Sequence, residues 1–562
     1  MPRKIDYTKY SNEELIAEIV ELKKRKKYGL VWDEEREDSK EKVVLDCKNE
    51  LPVLKEIKSK AISKVTQKPT QILIEGDNYH ALSVLNYTHQ NTIDVIYIDP
   101  PYNTGAKDWK YNNNFVDNND MYRHSKWLSF MNNRLKIAKN LLRDDGVLIC
   151  AIDENEQSHL GVLLEGLFHS HEIHLVSIVH NPRGIQGKNF SYTNEFAYFV
   201  IPKGEKIVGH RKIAQKDIQY RNLRDNGGES LRVDARNCFY PIKINQTTKE
   251  IIGFGEVCDD SFNPESANIQ EGDELWVYPI DRNIIERKWR YARQSVDSIK
   301  HLLRAKKSNS IWQIEIGKDF GTYRTVWKDS RYDSNEYGTK LIKKMVPGCD
   351  FDFPKSIYNT YDCIYAIIGE RKNAIVLDYF AGSGTTGHAT LLLNQEDGGN
   401  RQVILCTNNE NGIAQDVTYP RMKAAINGYD DTSNGFVDGI DSNLKYFKTT
   451  FVPAKATDRN KEILTKQSEE MLCLKENTFE PVIDSDNIKI FKNNDHYTGI
   501  LFNEAEIPNF KKKIIGYDLP VRVYVFSLGD DDFAEEFSDI KYKVKVCSIP
   551  AAILRVYKRI FR

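Results

Sequence analysis

Cysteine is scarce and poorly placed for chemistry. Nine cysteines are scattered through 562 residues with no CxxC pair and no Cys/His cluster at zinc spacing, so neither a disulfide framework nor a metal site is expected. Excess positive charge is also lacking. Lys plus Arg number 80 against 81 for Asp plus Glu, so no global field announces a polyanionic partner, and any such contact must come from local patches. No window approaches eighteen uninterrupted apolar residues, and the opening MPRKIDYTKYSNEEL has no apolar signal core; the expectation is a soluble, cytoplasmic chain without membrane contact. Repeats of solenoid period and low-complexity tracts are missing too. The length exceeds one ordinary domain, so a catalytic core plus at least one further module is expected.

The most informative stretch is residues 93–105, IDVIYIDPPYNTG. Val95, Ile96, Tyr97 and Ile98 read as a buried strand. Pro100 and Pro101 have no N–H to extend the ladder, so Asp99 falls at or just past the strand's carboxyl end. In an open α/β sheet that rim is where ligands bind. There Asp99, Pro100, Pro101 and Tyr102 offer a fixed acceptor, stiff carbonyls and a flat ring, which suit a planar base bearing an amino group. A polar turn that merely ends a strand is the plain alternative for Asp-Pro alone, and it is disfavoured for the whole run.

Strand and helix alternate around this stretch. Residues 72–74 read as a strand ending at Glu75-Gly76-Asp77-Asn78, and a helix carrying Leu82 and Leu85 follows. Residues 127–142 form an amphipathic pattern, and residues 147–152 read as a strand ending in Asp153 and Glu154. This rhythm predicts a parallel, doubly wound α/β sheet. Upstream, Ser11 with Glu14 spells a capping box for a charged helical arm that runs into Lys23 and Lys27.

From about Asn181 the rhythm fails. Residues 282–307 hold nine Lys or Arg against two acids, with Trp289 and Tyr291 among them. Basic side chains interleaved with aromatics are the composition of a surface that meets phosphate and stacks on bases, which nominates Arg287, Lys288, Trp289, Arg290, Arg293, Arg304, Lys306 and Lys307. A charged face on an ordinary helix is the competing reading.

Residues 374–377 read as another strand, and DYFAGSGTTG at 378–387 leads into a helix beginning near His388. Gly382, Gly384 and Gly387 literally spell GxGxxG, which opens a dinucleotide reading. A phosphate loop of the Walker kind needs Lys-Ser/Thr after its last glycine, and His388-Ala389 stands there instead. An Asp and a Phe just before the glycines are what a zwitterionic amino acid ligand exploits.

These motifs resemble those of DNA methyltransferases that methylate exocyclic amino groups. Asp99 to Tyr102 resemble motif IV in its usual adenine-N6 form, where cytosine-N4 enzymes more often carry Ser in place of Asp. Asp378-x-Phe380-x-Gly382-x-Gly384 resembles motif I, which in that family contacts the methionine part of S-adenosyl-L-methionine. The resemblance implies cofactor contacts from Asp378, Phe380, Ala381, Gly382, Gly384 and Thr385, from Asp77 of motif III, and from Lys355 within a motif X-like Phe353-Pro354-Lys355-Ser356. It also implies a ribose contact from Glu410 after the strand at residues 402–407.

The order III, IV, basic insertion, X, I, II is that of the β class. The stretches at residues 28–32, 124–131 and 394–401 look like the modification (Mod) subunit of type III restriction-modification systems. That likeness implies a Rossmann-like methyltransferase sheet acting on duplex DNA by base flipping. It divides the chain into an N-terminal helical arm (1–68), a catalytic half (69–181), a target-recognition domain (182–340), a cofactor half (341–452) and a C-terminal α/β module (453–562) for dimerisation or partner contact. A homodimer and a restriction (helicase-nuclease) subunit are the implied partners. The competing functions are cytosine-N4 methylation, a methyltransferase without a restriction partner, a nicotinamide oxidoreductase and a DNA-binding module with a degenerate site. The oxidoreductase leaves Asp99 to Tyr102 unexplained, and a degenerate site predicts damage to one of two motifs that both stand whole.

Overall fold

The computed structural model describes residues 10–13, 15–16, 41–64, 68–111, 114–117, 120, 122–186, 189–213, 215–272, 274–433, 435–529, 531, 533–540 and 543–561. Of the expected N-terminal arm the described residues include a turn, in which the Leu15 N–H donates to the Ser11 carbonyl at 2.9 Å, and a short helix over Lys42–Asp46. Glu14, the basic run and the stretch at 28–32 lie outside the described residues.

The chain divides into two compact units, residues 210–323 and everything else. The larger unit is built on a ten-stranded sheet: β1 (Glu50–Glu56), β2 (Thr70–Glu75), β3 (Ile93–Ile98), β4 (Leu142–Ile152), β5 (His171–Val179), β6 (Asn194–Pro202), β7 (Val326–Trp327), β8 (Ile375–Asp378), β9 (Gln402–Thr407) and β10 (Asn443–Pro453). The spatial order is β1-β10-β2-β9-β8-β3-β4-β6-β5-β7. From β10 through β4 every neighbour is parallel, while β6 runs antiparallel to both β4 and β5. All six residues of β3 and of β9 are buried, as expected for strands covered on both faces.

The order in which the chain adds strands reverses between β8 and β3. From β8 the chain steps to β9 on one side, and from β3 it steps to β4 on the other. β8 and β3 lie side by side, Val376 opposite Val95 and Leu377 opposite Ile96. Their carboxyl ends therefore open at a topological switch point, the place where open α/β sheets bind ligands.

Three boundaries differ from the sequence expectation. Residues 50–56 are not part of a helical arm: they pair antiparallel with β10 as the edge strand β1, where Pro52 is tolerated because an edge strand has a side that needs no N–H. The inserted unit spans His210–Tyr323 and not 182–340, because NEFAYFVIP at 194–202 enters the central sheet as β6. The C-terminal residues form a five-stranded sheet in the order Glu480–Asp484, Ile488–Lys492, Tyr497–Leu501, Val521–Phe526, Val544–Ile549. Tyr524, Ile549, Ile553 and Tyr557 share one apolar core with Tyr79, Leu82 and Leu85 of α1 (Asn78–Thr88), so this module is packed onto the catalytic unit.

The inserted unit has a small core of its own. Leu223, Tyr240, Ile242, Trp289, Ala305, Trp312 and Ile314 pack together across a four-stranded and a three-stranded antiparallel sheet.

Candidate active site

Asp99 follows the last residue of β3, where the prolines stop the ladder. Its loop is held from two directions. Trp127, on α2 (Arg123–Ala138), donates its indole N–H to the Pro101 carbonyl at 2.7 Å. Asn103 adopts a left-handed φ of 57° and donates its amide to the wholly buried Glu156. His124 Nδ1 lies 2.6 Å from the same Glu156 Oε1, and His159 Nδ1 lies 2.9 Å from Oε2. No metal was expected here, and these three residues do bring ligand-type atoms within 4.8 Å of one another. Glu156 Oε1 is already taken by Asn103 and His124, so the trio braces the loop. Burial pushes the Glu156 carboxyl up to about 7, against the opposing bonds from Asn103 and His159.

The Tyr102 hydroxyl donates to Asp99 Oδ1 at 2.7 Å. The third member of this group is Lys355, expected among the cofactor contacts. The structure puts its ammonium 3.4 Å from Asp99 and in close contact with Glu195 and the Tyr102 hydroxyl. It also lies 4.7 Å from the centre of the Tyr102 ring. Glu195, near the start of β6, is buried and accepts a second bond from Asn359, on α3 (Ile357–Ile368), at 2.7 Å.

Burial raises the Asp99 carboxyl above its ordinary range and the neighbouring Lys355 charge opposes that rise. Glu195 is also penalised by burial, yet Lys355 holds it below the ordinary range. One cation thus serves two acids. Sequence reading missed Glu195; the available signal was a lone acid inside an otherwise apolar strand run.

On the neighbouring strand Asp378 ends β8. Its Oδ1 accepts from the Phe380 N–H at 2.9 Å and its Oδ2 from the Thr386 hydroxyl at 2.6 Å. The side chain is buried, which pushes its carboxyl up to about 7 in spite of those bonds, with Asp99 adding to the rise. Gly382 and Gly384 take left-handed φ values of 49° and 79°, a conformation that favours glycine. The helix α4 (Thr385–Asp397) starts directly after them, three residues before the expected start near His388. At Gly387 a Cβ would stand 2.5 Å from Met422 Sδ and 2.8 Å from Leu405 Cδ1, so this glycine permits close packing of helix on strand. The Ala381 N–H donates to Cys406 on β9 at 3.0 Å, and the Phe380 ring packs 5.8 Å from Phe130. Thr385 accepts from the buried Arg421 at 2.7 Å.

The two other expected cofactor residues have local roles. Asp77 caps α1 by accepting from the Tyr79 N–H at 2.7 Å and lies 3.4 Å from Arg134, whose main partner is Glu41. Glu410 opens a short turn three residues beyond the end of β9 at Thr407.

The basic cluster of the inserted unit is partly neutralised from within. Arg287 pairs with Asp281 at 3.0 Å, Arg293 with Asp297 at 2.7 Å, and Arg304 and Lys306 share Glu315 at 2.7 and 3.1 Å. Among the described residues no acid pairs with Lys288, Arg290 or Lys307. Trp289 is a correction: its ring is 2% exposed and its indole donates to the Tyr240 carbonyl at 2.7 Å. It belongs to the core of the unit and has no free face for a base.

The two loops at the switch point, one ending in an acid, two prolines and a tyrosine, the other cradled by left-handed glycines, fall within a match to the DNA methylase family that covers residues 93–451. The chain belongs to the DNA methylase family. It is 29% identical over 407 residues to the type II methyltransferase M.KpnI of Klebsiella pneumoniae, covering 69% of this chain and 92% of that one. It is 26% identical over 390 residues to the type III restriction-modification enzyme EcoPI Mod subunit of Escherichia phage P1, covering 60% of this chain and 57% of that one. Among solved structures, a DNA modification methylase of Thermus thermophilus complexed with S-adenosyl-L-methionine aligns with a TM-score of 0.29 at 11% identity, covering 66% of this chain and 98% of that one. The methylase spans a little over half the length of the type III relative.

A DNA methylase of this family takes its methyl group from S-adenosyl-L-methionine. The residues at β8 fit that group, because a close backbone cradle and a buried acid at Asp378, with no cation paired to it among the described residues, match a ligand bearing an ammonium and a carboxylate. Among the described residues no helix is long and apolar enough to cross a membrane.

Proposed function

We propose that this methylase modifies N6 of adenine in duplex DNA, as the modification and specificity subunit of a restriction-modification system. The observation that carries the reading is an acid, Asp99, beside the Tyr102 ring at the end of β3, one strand from the Asp378 glycine loop. When bound, S-adenosyl-L-methionine supplies an electrophilic methyl group on a sulfonium.

The N6 atom lies within duplex stacking, so the adenine leaves the helix at a cost of a few kcal/mol. Asp99 Oδ1 and the Pro100 carbonyl accept the two N6–H bonds and steer the nitrogen towards tetrahedral geometry, while the Tyr102 ring receives the base. A carboxylate is far too weak a base to deprotonate a neutral amine, so positioning carries the rate. Lys355 keeps Asp99 in its acceptor form. Since Lys355 lies over the Tyr102 ring, capture of the base displaces that side chain.

The inserted unit at residues 210–323 is assigned sequence recognition, with Lys288, Arg290 and Lys307 on phosphates. A homodimer, a helicase-nuclease partner and a cytoplasmic setting complete the reading; likeness to type III Mod subunits supports the restriction-system partner. Cytosine N4 is the second reading, since the family is named for both N6 and N4 amines; Asp99 in place of Ser favours adenine.

Methyl transfer from labelled cofactor to DNA tests the assignment, with Asp99→Ala expected to abolish turnover while cofactor binding survives. Near-normal turnover in that variant sinks it. Sequencing DNA from expressing cells with a modified-base readout identifies base and site together, and N4-methylcytosine would replace the adenine reading.

A further inference from the structure

Four arginines are buried among the described residues: Arg134, Arg232, Arg401 and Arg421. Three have acid partners, Arg134 with Glu41 at 2.8 Å, Arg232 with Glu286 at 3.1 Å and Arg401 with Asp397 at 2.8 Å. Arg421 has none among the described residues. It lies on α5 (Tyr419–Asn427) with no exposed surface, and its Nε and Nη2 atoms are buried without any hydrogen-bond partner. A buried cation without a counter-charge is costly, and chains retain one where a ligand completes it.

The one engaged nitrogen shows where the charge is directed. Arg421 Nη1 donates to Ser383 Oγ at 3.0 Å and to Thr385 Oγ1 at 2.7 Å. These two hydroxyls flank Gly384 at the N-terminus of α4 and lie 3.1 Å apart. Because the guanidinium occupies acceptor sites on both oxygens, neither hydroxyl can turn its own hydrogen towards Arg421. One hydroxyl can donate to the other. The remaining hydrogen is left to donate out of the pair, at a helix end whose free N–H groups already favour an anion. Burial pushes Arg421 down to about 10, and it stays cationic at neutral pH.

We infer that Arg421 is the counter-charge for the α-carboxylate of the cofactor's methionine part, acting through the Ser383 and Thr385 hydroxyls that it orients. This rests on S-adenosyl-L-methionine binding at the β8 loop and names the group that reads one end of it. Asp378 offers a negative charge to the ligand's ammonium, and Arg421 supplies the opposite sign at the same loop. Arg421 is thus a positioning residue, which acts on the ligand through two hydroxyls and lies remote from the reacting methyl group.

The test is calorimetric and needs no turnover. Two ligands, S-adenosylhomocysteine and its decarboxylated analogue, are titrated into the full-length wild type, Arg421→Met and Arg421→Lys. Loss of the carboxylate is expected to weaken binding to the wild type about 10-fold or more, the scale of a charge-assisted hydrogen bond. In Arg421→Met that difference should collapse to about twofold or less, because S-adenosylhomocysteine weakens while the analogue holds its affinity. Arg421→Lys should restore part of it. If Arg421→Met weakens both ligands equally, or neither, Arg421 only supports the loop and the inference is wrong. Should Arg421→Met fail to fold, the wild type and Arg421→Lys still decide, since equal affinity of the wild type for both ligands overturns the carboxylate contact. A wild type that binds neither ligand removes the cofactor reading beneath the inference.

Discussion

The ammonium of Lys355 stands 3.4 Å from the carboxylate of Asp99. It is the cation that opposes the burial penalty on two neighbouring acids, Asp99 and Glu195. Removing it in Lys355→Met leaves those acids facing each other, and the raised Asp99 carboxyl rises further. Activity that needs ionised Asp99 is then lost at a higher pH on the acid side, with a fall of about 100-fold or more near neutrality for a lost charge contact at the reacting group. In Glu195→Gln the lysine serves Asp99 alone, and the acid limb should move to lower pH. A single-turnover pH profile reads both shifts; an unmoved limb in Lys355→Met refutes the role given to Lys355.

Asp378 and Glu156 are each pushed up to about 7, and Asp153 up to about 6, mainly by burial. Folded protein holds these protons more tightly than unfolded chain does. Stability contributed by the three groups is therefore full below the ordinary carboxylate pKa and is lost as pH rises from there through about 6 to 7. Cofactor-free protein should melt at a lower temperature at pH 8 than at pH 5, and Asp378→Asn should reduce that drop by several degrees. An identical drop in the variant shows that Asp378 is not among the causes.

Phosphate contacts should come from cations that are not already paired. Lys288→Gln, Arg290→Gln and Lys307→Gln should each lower the salt dependence of DNA binding by about 0.9 in log–log slope. Lys306→Gln should change it less, because Lys306 shares Glu315 with Arg304. Equal slopes for Lys306→Gln and Lys307→Gln would mean that the Glu315 pairing does not matter to DNA.

Gly384 combines a left-handed φ of 79° with a neighbour, Thr418 Cγ2, 3.2 Å from where a Cβ would stand. Gly384→Ala should cost about 1 kcal/mol in stability from the backbone alone and weaken cofactor binding more than tenfold where calorimetry is used to read it.

The parallel sheet and both site loops were readable because each leaves a local mark: a run of β-formers ended by prolines, or glycines where only left-handed backbone fits. What escaped depends on distant partners. Glu195 lies on a strand whose place beside β4 and β5 is set by pairing, and nothing local ties it to Lys355 of a different segment. The composition around Trp289 reads as a binding face, yet the Tyr240 carbonyl and the small core claim the ring. Arg421 looks like any helical arginine until no acid pairs with it among the described residues. Residues 50–56 were assigned to an arm because their sheet partner, β10, comes some four hundred residues later.

β3 and β8 are neighbours in space and far apart in synthesis. At about 10 residues per second, Asp99 leaves the ribosome on the order of half a minute before Asp378 is made. Through that interval one flank of β3 has no partner from its own chain, and an unpaired apolar strand edge is where aggregation starts. Expression yield should accordingly depend on elongation rate and on chaperones that cover strand edges, even for variants whose finished fold is as stable as the wild type.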